Sequence, residues 1–319
     1  MHICARSPLS SACMRNKYIT YLRDVRRYSA RTCEIYAEVL DSYVEFCEGD
    51  EDFSRTLSVN AVRAYEVWLF DKRKLSAATV SQHLSVLSGF CRFLMKQGVL
   101  ESNPVHLVRR PRQEKRLPLF YKDKSMQEYF EGTKGDPEFG TIEQKLSRLI
   151  ISLLASCGLR RSELIGLDVG SVDFSRQVLR VRGKGDKMRE IPLIPSLCKE
   201  ISLYLNALSS LTDDAQDPDA PLLRTPKGAR LYPVFVDRVV KKELAAVPDI
   251  TVRRSPHVLR HTLATELLQD GADLNSIKEL LGHSSLAATQ VYTHNSVERL
   301  KKVYTNAHPR AKNGGKNGD

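Results

Sequence analysis

Near the C-terminal end of the chain, a few residues have the types and spacing to attack a phosphodiester. Within Ser255–His294, His257 and Arg260 lie three positions apart and share one face of a helix. His283 follows a Leu-Leu-Gly helix ending, and Tyr292 comes nine residues later. A phenol near cationic and hydrogen-bonding groups can act as a nucleophile at phosphorus if a neighbour takes its proton, since free tyrosine has a pKa near about 10. Ser255 suits an N-cap and Pro256 the first turn, which puts His257 and Arg260 at the positive end of a helix, where anions bind. Gly271 ends that helix, Asp273 caps the next and Gly282 terminates it; Ser284 or Ser285 then caps a helix bearing Tyr292. Taken singly, each of these side chains better suits packing or solvent. Their order and spacing together point to chemistry.

Two earlier segments offer cations that fit the same purpose. The apolar run LSRLIISLLASCG predicts a buried helix that stops at Gly158, with Arg160 directly after it in GLRRSELIGL. An arginine at the edge of a core is a good phosphate clamp, although a helix-end arginine alone is usually surface. In VDFSRQVLRVRGKGDKMREIPL, Leu179 and Val181 alternate with Arg180 and Arg182. This predicts a strand, a tight GKGDK turn and a return strand over Met188–Leu193. Lys184 then sits at or beside the hairpin tip, where it can donate a proton to a leaving oxygen, neutralise phosphate or simply be solvated.

The elements that must carry these groups are mostly helical. Over residues 14–108, Ser29, Ser58 and Ser76 can each cap a helix. Inward stripes follow at Ile35, Val39, Tyr43 and Cys47, at Val62, Tyr65 and Leu69, and at Val80, Leu84, Leu87, Cys91 and Leu94, with Gly49 and Gly98 as stops. An earlier helix around Tyr18, Leu22 and Val25 completes a small bundle. This half contains no nucleophile–base pair. Arg92 and Lys96 on the polar side of the third capped helix are candidate phosphate contacts, as are Arg109, Arg110 and Arg112 in the linker 109–118 and Arg182 on the strand. Prolines at 111 and 118 disfavour a continuous helix through that basic linker. Residues 1–13 precede the helical pattern and read as a disordered extension or as an overlong start of the chain.

At 319 residues the chain has room for two cores. A net charge of +11 favours an anionic partner, most often nucleic acid. Seven cysteines without CxxC pairs look like buried hydrophobes of a reducing cytosol rather than disulfides or zinc ligands. No apolar run reaches the roughly 18–20 residues that span a bilayer. The expected location is the cytoplasm, without a membrane partner.

The segments GLRRSEL, GKGDKMREIPL, HVLRH, LLGHSSLAATQVYTH and AHPRA resemble the tyrosine recombinase (phage-integrase-like) family, and within it the bacterial Xer site-specific recombinases. The likeness runs from about Met14 to Ala311 and includes YSARTCEIY and LSAATVSQHLSVLSGFCRFL. It implies a mainly α fold: an N-terminal SAM-like helical core-binding domain at 14–108, the basic linker 109–118, and a mainly helical catalytic domain at 119–300 with a small antiparallel β-hairpin sheet. A C-terminal helix and basic tail occupy 301–319, and the helix would dock on a neighbouring protomer. The two domains would clamp DNA.

The resemblance also implies roles. Tyr292 would be the nucleophile that forms a 3′-phosphotyrosyl link, Arg160 and Arg260 would hold the non-bridging oxygens, and Lys184 would protonate the 5′-oxygen. His257 would manage the tyrosine proton, His283 would hydrogen-bond the phosphate, and Glu163 would orient a neighbour. Arg161, His261, His294 and Tyr304 read as packing, supporting or DNA-backbone groups. No metal, cofactor or ATP is expected. The partners implied are a double-stranded DNA recombination site, a tetramer on two sites (homotetramer or with a sister recombinase) and a DNA translocase as candidate activator. The role suggested is chromosome dimer resolution; an integrase of a mobile element has the same chemistry. A type IB topoisomerase fits the domain plan less well, and a non-catalytic DNA-binding protein remains the rival of another class.

Overall fold

The computed structural model describes residues 11–112, 119–133, 140–183 and 186–282. Lys184, His283, Tyr292, the tail 301–319 and most of the linker therefore lie outside the described residues. The chain divides into two compact units, Met1–Arg116 and Leu117–Asp319.

The first unit is helical. Helix α1 (Ser11–Thr20) begins three residues before the expected boundary at Met14 and widens into one π-helical stretch over Tyr21–Val25. That widening corrects one expectation: Tyr18 and Leu22 are buried, but Val25 is 66% exposed. The wider turn takes Val25 off the stripe that a regular helix would have kept. Helix α2 (Ala30–Phe46) is capped by Ser29, whose side chain accepts from Thr32 N, and a short α3 (Phe53–Thr56) follows. Ser58 caps α4 (Val59–Asp71) by accepting from Ala61 N, and Ser76 caps α5 (Ala77–Lys96) by accepting from Thr79 N. Each cap satisfies an amide that the helix itself leaves unpaired. Val62, Tyr65, Leu69, Val80, Leu84, Leu87, Cys91 and Leu94 are fully buried in one core, so the apolar stripes face inward as their spacing requires. The Tyr65 hydroxyl meets His83 Nδ1 at 2.8 Å, and the Tyr43 hydroxyl donates to Thr56 O at 2.9 Å, so neither buried phenol lacks a partner.

In the second unit, α6 (Asp123–Gly132) precedes α7 (Ile142–Cys157), which starts in a reciprocal cap between Thr141 and Gln144 and ends at Gly158 in the left-handed conformation. A short α8 (Arg161–Ile165) leads into a sheet of β1 (Val172–Asp173), β2 (Val178–Arg182) and β3 (Met188–Pro192). The sheet is antiparallel in the order β1-β2-β3. Only the β2–β3 hairpin was expected; β1, two residues long, is too short to show a period-2 pattern. Helices α9 (Pro195–Ser209), α10 (Pro233–Ala245), α11 (Pro256–Gln269) and α12 (Leu274–Leu281) complete the unit. The buried helix α7 packs against α9, α10 and α11, and is the centre of the core. Among the described residues no helix is long and apolar enough to cross a membrane.

Candidate active site

Local sequence sets the entry to α11. Ser255 accepts from Val258 N, and Pro256 occupies the first turn, where its missing N–H costs nothing. Tyr121 holds this start in place: its hydroxyl donates to Arg253 O at 3.0 Å and accepts from Ser255 N at 3.2 Å. His257 is exposed at this end of the helix. Its ring is 2.9 Å, Nε2 to Nε2, from that of His261 one turn later. Although the residue is exposed as a whole, partial desolvation of its ring first, then the nearby charges of His261, Arg260 and Arg253, hold the His257 pKa below the ordinary histidine value, so the ring favours its neutral, proton-accepting form.

Although it shares a helix face with His257, Arg260 points inward and is buried. Its Nη1 donates to Gly158 O at the end of α7, and its Nη2 to Leu281 O at the end of α12. Arg160, directly after the α7 stop, donates from Nη2 to Gly282 O at 2.9 Å. The two arginines thus bind successive carbonyls at the α12 terminus, the electronegative end of a helix. Glu163 orients Arg160, accepting from its backbone N at 2.8 Å and its Nη1 at 2.7 Å.

A third arginine was missed in the sequence. Arg189 on β3 stands opposite Val181 in register and faces the core, whereas Arg180 and Arg182 on β2 are exposed. It donates to both oxygens of Glu163, at 3.0 and 2.8 Å, and from Nε to Leu280 O at 3.0 Å. The signal was present in MREIPL: alternation puts Arg189 on the same side as Ile191, so a buried arginine there requires a partner.

Two guanidiniums, of Arg160 and Arg189, therefore share the Glu163 carboxylate, and with the Arg260 charge nearby the cluster keeps an excess of positive charge. Burial and the charges of Arg160 and Arg189, against the pull of Glu163, bring the Arg260 pKa down to about 10, still charged at neutral pH. Burial alone would raise the Glu163 pKa; hydrogen bonds and charge from Arg189 and Arg160 hold it below the ordinary range. An excess of preorganised donors in a partly dry site suits stabilisation of an oxyanion.

The remaining candidates do not join this cluster among the described residues. Arg182 is exposed and pairs with Asp186 at 3.2 Å. In the first unit Arg92, Lys96, Arg109 and Arg112 are exposed. Arg110 is also exposed, but its Nη1 donates to Ser85 Oγ on α5 at 2.7 Å. Lys184, His283 and Tyr292 are outside the described residues, although Gly183 and Gly282, the residues before two of them, are described.

Comparison with known proteins covers both units. Residues 140–299 match the phage integrase family, and residues 16–98 match the N-terminal SAM-like domain of phage integrases. The chain is 35% identical to the tyrosine recombinase XerC of Bacillus subtilis, over 92% of this chain and 95% of that one. It is 32% identical to the tyrosine recombinase XerC of Chlorobaculum tepidum, over 92% and 94%. Its fold is similar to that of the Tn1549 transposon integrase in complex with transposon right end DNA (TM-score 0.66, 18% identity, 92% and 98% of the two chains). It is also similar to the lambda integrase bound to DNA (TM-score 0.63, 19% identity, 88% and 94%).

Proposed function

The chain belongs to the phage integrase family of tyrosine recombinases, and from that premise we propose that Arg160, Lys184, His257, Arg260, His283 and Tyr292 form its active site. It is a site-specific recombinase that cuts and rejoins DNA. In the proposed reaction the Tyr292 oxygen bonds to the scissile phosphorus as the bond to the 5′-oxygen breaks. His257 takes the phenolic proton and Lys184 gives one to the departing 5′-oxygen. Arg160 and Arg260 bind the non-bridging oxygens, where negative charge grows, and His283 hydrogen-bonds the same phosphate. The 3′-phosphotyrosyl link keeps the energy of the broken bond. A 5′-hydroxyl from another strand can then attack it and reverse the step.

One observation carries this reading. The guanidiniums of Arg160 and Arg260, a hundred positions apart in sequence, end on Gly282 O and Leu281 O, immediately before His283 in the chain. In the proposed division of labour, 14–108 is the core-binding domain, 109–118 the basic linker, 119–300 the catalytic domain and 301–319 the element that docks on a neighbour. Arg92, Lys96, Arg109, Arg110, Arg112 and Arg182 supply phosphate contacts to duplex DNA. The assembly is a tetramer on two sites, a homotetramer or one shared with a sister recombinase, acting in the cytoplasm with a DNA translocase as candidate activator. Relatives named XerC, matched over nearly their whole length, support chromosome dimer resolution as the role.

The deciding experiment uses a nicked suicide substrate that carries a recombination site, resolved on a denaturing gel. The unmodified protein is expected to form a covalent DNA adduct, and Tyr292→Phe to form none while still binding. An adduct that persists in Tyr292→Phe, or none from the unmodified protein, would overturn the assignment.

A further inference from the structure

We propose that Arg189 is a positioning residue for DNA cleavage: paired with Glu163, it sets the placement of the Arg160 guanidinium and of the carbonyl end of α12. The inference rests on Arg160 being a phosphate clamp. Arg189 would touch no substrate.

Four observations meet on this side chain. First, the ion pair is inside the protein: the Arg189 and Glu163 side chains are only 5% and 3% exposed. Second, the pair is bidentate, at 3.0 and 2.8 Å, so the planes of the two groups are fixed relative to each other. Third, Glu163 passes that order to Arg160 through two further hydrogen bonds, one from its backbone N and one from its guanidinium. Fourth, Arg189 Nε holds Leu280 O, the first of three successive carbonyls whose other two bind Arg260 and Arg160.

Two glycines complete the frame. A Cβ on Gly282 would stand 3.1 Å from Arg189 Nη1 and 3.3 Å from its Cζ, and Gly282 has a φ of +65°. A Cβ on Gly183 would lie 3.5 Å from Arg189 Nη1 and 3.8 Å from Glu163 Oε1. These glycines directly precede His283 and Lys184 in the chain. Gly282 and Gly183 therefore both lie close to the buried Arg189 guanidinium.

Desolvating a charged pair is costly, and an apolar pair of similar volume would often be as stable. What an apolar pair would not do is aim Arg160. Lysine cannot replace arginine here, because a point ammonium cannot span both carboxylate oxygens and a carbonyl in one plane.

The test compares Arg189→Lys and Arg189→Gln with the unmodified full-length protein, alone and in an Arg160→Ala background. Thermal melting, DNA affinity and single-turnover cleavage of the suicide substrate are measured together. Folded variants are expected to bind DNA within about threefold of the unmodified protein and to cleave about 100-fold more slowly, the usual consequence of a misplacement near 1 Å. In the Arg160→Ala background the same substitutions should slow cleavage by clearly less than about 100-fold, because one of the two groups they act through is already gone. The proposal is overturned if a folded variant cleaves at the unmodified rate. It is equally overturned if the losses multiply in the Arg160→Ala background, or if both variants lose the fold at the assay temperature, which would make Arg189 a fold residue only. If the unmodified protein itself forms no adduct, the active-site reading fails; if it does and Arg189→Lys matches it, only the present inference fails.

Discussion

His257 and His261 place their Nε2 atoms 2.9 Å apart, so one nitrogen donates and the other accepts, and a second proton between them is disfavoured. Burial, together with His261, Arg260 and Arg253, already keeps the His257 pKa down. A depressed pKa means that the base form persists to lower pH and is lost only as pH falls below the ordinary histidine range of about 6.5. The acid limb of the cleavage rate should therefore lie below that value. In His261→Ala it should move upward toward it without reaching it, because the larger cause, burial, stays. An acid limb that does not move in His261→Ala would show that the pair has no part in the proton transfer.

Gly158 does two things at the end of α7: it takes a φ of +58°, and its carbonyl accepts from buried Arg260. A Cβ there would lie 2.6 Å from Leu281 Cδ2 and 3.0 Å from Leu263 Cδ2. Gly158→Ala should lower stability by about 1–2 kcal/mol from the left-handed backbone alone, and more if the leucines cannot turn aside. Cleavage should fall further than stability predicts, since both Arg260 anchors shift. Urea unfolding beside single-turnover cleavage would reveal either effect, and unchanged values in both would refute it.

Glu266 on α11 is a carboxyl raised by burial first, then by Asp123 and Asp270, to about 7. A folded-state pKa above the unfolded value stabilises the protein fully below about pH 4.3, and that stabilisation is lost as pH rises toward about 7. Unfolding free energy should decline across that window and level off above it. Glu266→Gln should flatten the decline and raise stability at pH 8 by about 1–3 kcal/mol. Chemical denaturation at pH 5, 6, 7 and 8 is the measurement; a variant no more stable than the unmodified protein at pH 8 would contradict it.

Phosphate contacts should dominate DNA affinity in so basic a chain, so log K should fall steeply with log salt. Arg92→Ala and Arg182→Ala, at exposed positions, should each reduce the slope by about one if they meet phosphate. A slope that neither variant changes removes both from the contact set, and a flat plot for the unmodified protein would sink the electrostatic account itself.

Much of this protein is readable from local sequence because the determining physics is local. Ser29, Ser58, Ser76, Ser255 and Asp273 each cap the helix that their spacing announces, since a cap needs only an amide two or three residues ahead. The inward stripes of α4 and α5 follow from helical periodicity, and the alternation Leu179, Arg180, Val181, Arg182 gives β2 its two faces. Val25 escaped this logic because a π-helical turn, which no spacing predicts, displaced it.

Family membership and the candidate catalytic residues were likewise contained in the order of residues along the chain. The tertiary structure alone decided how the arginines are held. Arg160, Arg189 and Arg260 come from a loop, a strand and a helix, and meet on Gly282 O, Leu280 O and Leu281 O at the end of α12. Nothing in their spacing encodes that meeting. Buried guanidiniums must find acceptors wherever packing brings carbonyls and Glu163 within reach, and packing is a property of the whole unit.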